Sequence, residues 1–279
     1  MKENVLLVMA RSDFFRTTYA ACRRVPVLGS CLHRIALRVL PRGTRIWTRI
    51  PQGEGQGLWF YADLRFEQGY CSGDYEPWLQ EFLGETLKEG DCFYDIGAHT
   101  GFSALIAARF VGERGLVVAL EPDPRNAAVL RANVARNEMP QVKVIEAAAW
   151  SSSCEATFKQ DSEASNRSQG RVVLAKTAGT QDVKVHAVSL DDLVFGRNER
   201  PPDLIKLDVE GGEWEVLTGA GRTLREVKPA LLCEVHNPGM LDQLRAFLGE
   251  FGYSLKYWAP VHPHYPDYRQ HYLCAEAPR

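Results

Sequence analysis

The chain has 279 residues, 45% hydrophobic and 24% charged, with a formal net charge of −2. That is ordinary globular composition. It excludes a disordered, collagenous or coiled-coil chain and gives no overall electrostatic footprint for nucleic acid. The charge is uneven, however: residues 1–50 hold ten Lys and Arg against Glu3 and Asp13, so the basic character is confined to an N-terminal arm.

Residues 1–43 read as helical and basic, with Leu32, Ile35, Ala36 and Val39 at helical spacing and Pro41 and Gly43 ending the pattern. Such an arm suits either contact with a membrane surface or acidic partner, or a helix packed on the domain with its arginines solvated. It leaves a homo-oligomer open. Residues 44–90 form the next expected unit, a hairpin and a lead-in helix, in which 44–50 and 58–64 flank the glycine-rich turn at 51–57.

From residue 91 to 279 short apolar runs alternate with helical patterns. The expected strands are Cys92–Ile96, Leu116–Leu120, Val142–Glu146, Leu204–Asp208 and Leu231–Val235, with helices at Phe102–Arg109, Arg125–Asn137 and Gly212–Gly219. This rhythm predicts an α/β fold with a mostly parallel sheet covered by helices on both faces. Tyr253–Trp258 and Tyr272–Ala275 are expected to close one edge as an antiparallel hairpin. The polar stretch 159–182 and the loop 259–270 interrupt the rhythm, as functional loops do.

Seven cysteines without a C-x-x-C pair argue against a disulfide framework or structural zinc and for a reducing, cytoplasmic setting. Val5–Ala10, the most apolar early stretch, is far short of the ~20 residues a membrane span needs.

The strongest motif is Asp95-Ile-Gly-Ala-His-Thr-Gly101, directly after a strand and directly before a helix. Gly97 and Gly101 permit a tight turn and close approach of a ligand, and the helix start offers free N–H groups. A carboxylate at Asp95 would repel a pyrophosphate, so the turn suits the ammonium of an α-amino acid instead. Glu121 ends the next strand, where an acidic side chain accepts from ribose hydroxyls. Ala148 and Trp150, after the third strand, offer a slot for a flat base, although Trp150 also reads as core. Amino acid, ribose and base together describe S-adenosylmethionine.

With these residues in place, the chain resembles the FkbM family of Class I methyltransferases over about residues 70–258. The matching pieces are Gly73-Asp-Tyr-Glu76, the 95–101 turn, Glu121-Pro-Asp123, Val188-Ser-Leu-Asp-Asp-Leu193 and Ile205-Lys-Leu-Asp-Val-Glu-Gly211. The resemblance implies a Rossmann-like fold, with Asp95, Gly97, Ala98, His99, Thr100 and Gly101 at the methionine end of the cofactor. It also implies ribose contacts at Glu121 and Pro122, a cofactor contact at Asp208, and methyl transfer to oxygen in small-molecule, sugar or lipid-linked biosynthesis. Glu76 either reaches over the cofactor from the N-terminal side or is a solvated carboxylate before Pro77.

For the chemistry, the ends of the later strands supply Lys206, Asp208, Glu210, Glu234 and His236. Three readings stay open. His236 is a general base oriented by Asp208 or Glu210; or Asp208, Glu234 and His236 hold Mg²⁺, which acidifies an acceptor hydroxyl; or Glu210 begins a helix and His236 is structural. The expected acceptor is a small molecule or glycoside rather than nucleic acid. An NAD-dependent oxidoreductase and a non-catalytic cofactor-binding module are the alternatives.

Overall fold

A computed structural model describes residues 45–63, 66–159, 171–173, 183–262 and 265–276. The basic arm, most of the polar stretch 159–182 and part of the 259–270 loop lie outside the described residues, as do the roles expected of them. The chain divides into two compact units, with the division between Pro77 and Trp78 at the start of the lead-in helix.

In the first unit, β1 (Arg45–Arg49) pairs antiparallel with β2 (Trp59–Asp63), with Trp47 opposite Tyr61. The hairpin expected around the glycine-rich turn is present. A short helix not foreseen from the sequence, α1 (Gln68–Ser72), follows and ends at Gly73 in the left-handed region. Arg45 holds Glu67 in a buried ion pair at 2.6 Å. Glu76 is buried, with a left-handed φ of 42°.

The second unit opens with α2 (Pro77–Thr86) and enters the sheet at β3 (Cys92–Ile96), all five residues of which are buried. Then come α3 (Phe102–Val111), β4 (Leu116–Leu120), α4 (Pro124–Arg136) and β5 (Val142–Ile145). The α4 start is encoded locally: Asp123 accepts from the Arg125 N–H at 2.8 Å, and Pro124 occupies the first turn, where no donor is needed.

Next, β6 (Ala148–Ala149), β7 (Cys154–Lys159), β8 (Arg171–Val173) and β9 (Val183–Val188) form a separate four-stranded sheet in the order β6-β9-β7-β8. The chain then returns through a π-helical turn (Asp192–Gly196) to β10 (Leu204–Leu207), α5 (Glu213–Thr218), α6 (Gly221–Glu226) and β11 (Ala230–Glu234). Finally come α7 (Leu241–Glu250), β12 (Ser254–Trp258), the pair β13 (Val261–His262) and β14 (Tyr265–Arg269), and β15 (Tyr272–Glu276).

The main sheet has the order β12-β15-β11-β10-β3-β4-β5. β3, β4, β5, β10 and β11 are parallel, and β15 runs antiparallel to both β11 and β12. This is the expected Rossmann-like, mostly parallel sheet with a C-terminal antiparallel hairpin. Because side chains alternate, one face carries Tyr94, Ile96, Ile205, Leu207, Leu231 and Cys233 into a core shared with Val216, Leu224, Leu244 and Leu248 of α5, α6 and α7. The other face carries Asp95 and Lys206, with α3 above it. The chain leaves β3 towards β4 and later returns to β10 on β3's other side. That reversal is the topological switch point at which open α/β sheets bind ligands.

Candidate active site

Asp95 and Lys206 are paired in register across the switch point. Asp95 is fully buried. Its Oδ2 accepts from the Ser103 hydroxyl at 2.6 Å, whereas Oδ1 has no hydrogen-bond donor among the described residues and lies 3.7 Å from Lys206 Nζ. Burial pushes the Asp95 carboxyl above its ordinary range, against the opposing pull of Lys206 and Ser103. Lys206 in turn donates to Asp208 Oδ2 at 2.9 Å.

The turn after β3 is held by the protein itself. Gly97 has a φ of 83°, and a Cβ there would stand 1.8 Å from the Asp208 carbonyl oxygen; at Gly101, φ 94°, it would stand 2.1 Å from Leu130 Cδ1. Both glycines are therefore required by left-handed backbone and by contacts with β10's exit and α4, not by a ligand's approach alone. Ala98 and Thr100 are buried, and His99 takes a left-handed φ of 51°.

Glu121 is buried and accepts from the His99 N–H at 2.8 Å, the Asp123 N–H at 2.9 Å and Asn126 Nδ2 at 3.5 Å. A carboxylate offers about four lone-pair sites, so these three donors leave room for one more. Burial carries its carboxyl up to about 7, while the backbone donors hold it down. Pro122 and Pro124, which follow it in the chain, line a cleft together with Glu146, Glu155, Lys184 and His186.

Ala148 and Trp150 do not form the expected base slot. Ala148 pairs with Ala187 of β9, and Trp150 packs with Ala156, Phe158 and Val185 in the core of the small sheet. Pairing between strands far apart in sequence has turned both side chains inward. Glu76 belongs to the first unit, where it is buried.

The ends of β10 and β11 bring together the remaining groups. His236 Nδ1 lies 2.7 Å from Glu213 Oε1, and Nε2 lies 3.4 Å from Glu210, 3.6 Å from Asp208 and 3.9 Å from Glu234. Burial alone would depress the imidazole; the Glu213 hydrogen bond and the charges of Asp208, Glu234 and Glu210 overcome it and raise His236 to about 10. The ring is an imidazolium at neutral pH, and a general base must be unprotonated. The role expected of His236 as base does not fit this environment. Asp208 moves the other way: burial would raise it, but Lys206 and His236 outweigh burial and hold it low. Burial carries Glu210 up to about 7, with Asp208 and Glu213 adding to the rise and His236 opposing it. Glu210 also has a left-handed φ of 53°, a strained conformation for a residue with a Cβ.

Asp208, Glu234 and His236 present ligand atoms within 4.8 Å of one another, the spacing a single cation needs. Mg²⁺ takes oxygen ligands in octahedral geometry. Here it would have to displace the imidazolium proton and stand beside the Lys206 ammonium. The raised His236 and the Lys206 ammonium, 2.9 Å from Asp208, oppose a second cation there, so the residues present do not favour the expected Mg²⁺.

Glu213 was not singled out from the sequence. It is buried, and besides His236 it accepts from the Gly211 N–H at 3.0 Å. Its place three residues after Glu210 reads as a helix start, which hides its contact with a strand end 23 residues away.

Residues 95–255 match the family model described as the methyltransferase FkbM domain. The chain is 28% identical to a hexuronic acid methyltransferase, AglP, of Haloferax volcanii over 64% of its own length and 66% of that protein's. It is 32% identical to protein-L-isoaspartate O-methyltransferase 1 of Archaeoglobus fulgidus over 30% of this chain and 40% of that one. It therefore spans less than two thirds of either curated relative. A crystal structure of an FkbM methyltransferase from Methylobacillus flagellatus is similar at a TM-score of 0.49 and 18% identity, over 70% of this chain and 50% of that one.

Proposed function

The chain belongs to the FkbM family of S-adenosylmethionine-dependent methyltransferases, and on that premise we propose that it transfers a methyl group to a hydroxyl oxygen of a small molecule, sugar or glycoside. When bound, S-adenosylmethionine supplies an electrophilic methyl group on a sulfonium. The residues present suit that cofactor: Asp95 Oδ1 is a buried acceptor at the switch point with no hydrogen-bond donor among the described residues, which suits an ammonium group. Glu121 has acceptor capacity left for ribose, and the cleft beside Pro122 replaces Ala148 and Trp150 as the place for the base.

The acceptor hydroxyl must lose a proton as it attacks. In this reading Glu210 takes it. Glu210 is partly open to solvent, its carboxyl is poised near neutrality, and the His236 imidazolium 3.4 Å away stabilises it once ionised. Glu213 and Asp208 hold His236 in place, and Lys206 holds Asp208. The observation that supports a hydroxyl acceptor is the Glu210 carboxyl, partly open to solvent at the strand ends and 3.4 Å from His236, where it can take up a proton. A cluster so rich in carboxylates also disfavours a phosphate backbone as partner.

The experiment is methyl transfer from radiolabelled S-adenosylmethionine to hydroxylated acceptors by the wild type and by Glu210→Gln. Product labelled at oxygen by the wild type and lost in the variant supports the reading; unchanged turnover in the variant contradicts it.

A further inference from the structure

Large aromatic side chains at the rim of a soluble protein are commonly covered. Trp258, at the end of β12, is 41% exposed. It is nevertheless held: Trp78 of α2 meets it edge-on at 4.4 Å, and Tyr272 of β15 lies 6.0 Å away. Trp78 and Tyr272 touch each other at 4.3 Å. An indole braced by two rings loses little further freedom when a ligand lands on it.

Its position in the sheet connects it to the site. Glu234 of β11 is directly opposite Tyr272 of β15, and Tyr272 is directly opposite Trp258 of β12. Residues paired in this way point to the same face. Asp208 continues the same row, because Leu207 pairs with Cys233 immediately before it. Trp258, Tyr272, Glu234 and Asp208 therefore form one line along the carboxyl edge of the sheet. With strands about 4.8 Å apart, Trp258 stands about 10 Å from Glu234, a distance that a monosaccharide ring and its contacts can bridge. Tyr272 ties the two ends together by donating its hydroxyl to Glu234 Oε2 at 3.0 Å.

The charge along this line narrows the occupant. Asp208, Glu210, Glu213 and Glu234 surround His236, and Lys206 is the other cation. Carboxylates outnumber cations, so an acceptor carrying its own carboxylate or phosphate would be repelled. A neutral sugar is not. Its apolar C–H face suits an indole, and its hydroxyls suit carboxylates as hydrogen-bond acceptors.

We propose that Trp258 is the platform on which the acceptor stacks, and that the acceptor is a neutral glycoside rather than a uronate or a nucleotide. This rests on the methyl-transfer reading above and names the substrate class for the same site.

The test uses the whole chain saturated with S-adenosylhomocysteine. Binding is followed by saturation-transfer NMR with neutral methyl glycosides of glucose, galactose, mannose and rhamnose, and with methyl glucuronide at low ionic strength. At least one neutral glycoside should bind saturably, and Trp258→Ala should weaken it by about tenfold or more, as truncation of an aromatic anchor does. Trp258→Phe should retain most of the affinity, and both variants should bind S-adenosylhomocysteine as the wild type does. The glucuronide should bind more weakly than the glucoside. Unchanged glycoside affinity in Trp258→Ala, failure of every neutral glycoside to bind the loaded wild type, or tighter binding of the glucuronide would each overturn the proposal. Failure of the wild type to bind S-adenosylhomocysteine would instead refute the methyl-transfer reading, and this inference with it.

Discussion

Replacing Asp95 with Asn separates the cost of a buried charge from its use. The carboxylate is fully buried, is bonded through Oδ2 to Ser103 at 2.6 Å, and leaves Oδ1 without a hydrogen-bond donor among the described residues. Asn keeps the shape and can keep the Ser103 contact, but it places an amide N–H where an acceptor stood. A hydrogen bond to a charged group is worth about 1.5–3 kcal/mol, so S-adenosylhomocysteine should bind roughly 10- to 150-fold more weakly. Stability should move the other way or not at all. Burial raises the Asp95 carboxyl, so ionisation of Asp95 opposes folding, and Lys206 keeps Asp208 at 2.9 Å as partner. Isothermal titration and urea unfolding of the same preparation measure both effects. Affinity within threefold of the wild type would refute the role of Asp95; weakened affinity with a matching fall in stability would assign the loss to folding.

Three further outcomes follow from the same geometry. Gly97→Ala places a Cβ 1.8 Å from the Asp208 carbonyl in a left-handed residue, and should lower stability by about 2–5 kcal/mol in urea unfolding; a loss below about 0.5 kcal/mol would mean the turn is not packed as described. For the wild type, kcat/KM should fall as pH drops through about 7, where Glu210 takes up a proton, and Glu210→Gln should lower turnover by about 10²-fold and abolish that limb. His236 is raised from 6.5 to about 10, so the stability it contributes is fully present below pH 6.5 and is lost as pH rises towards 10; His236→Gln should flatten the stability profile across that window, and an unchanged slope would contradict an imidazolium.

The strands of the main sheet were legible because each is a short apolar run ending in turn-forming residues, and Cys92–Ile96 and Leu116–Leu120 coincide with β3 and β4 to the residue. The C-terminal hairpin was legible for the same reason. The small sheet was not. β6 is two residues long and finds β9 nearly 40 positions later, a pairing that no local periodicity records. Trp150 therefore read equally as a ligand contact or as core, and it packs in the core of the small sheet. At the site, the residue types were legible and the charge states were not. Whether His236 is a base or a cation depends on Glu210 from a loop, Glu213 from α5 and Glu234 from the end of β11 meeting around one ring. That convergence exists only in three dimensions, and the exchange of roles proposed for His236 and Glu210 rests on it.

The most direct test of the central claim is isothermal titration of S-adenosylhomocysteine into the purified, folded chain without added metal. Micromolar binding at about one site per chain, unaffected by Mg²⁺, is the predicted result. No binding, or binding only when Mg²⁺ is supplied, would contradict the site described around Asp95, Glu121 and His236.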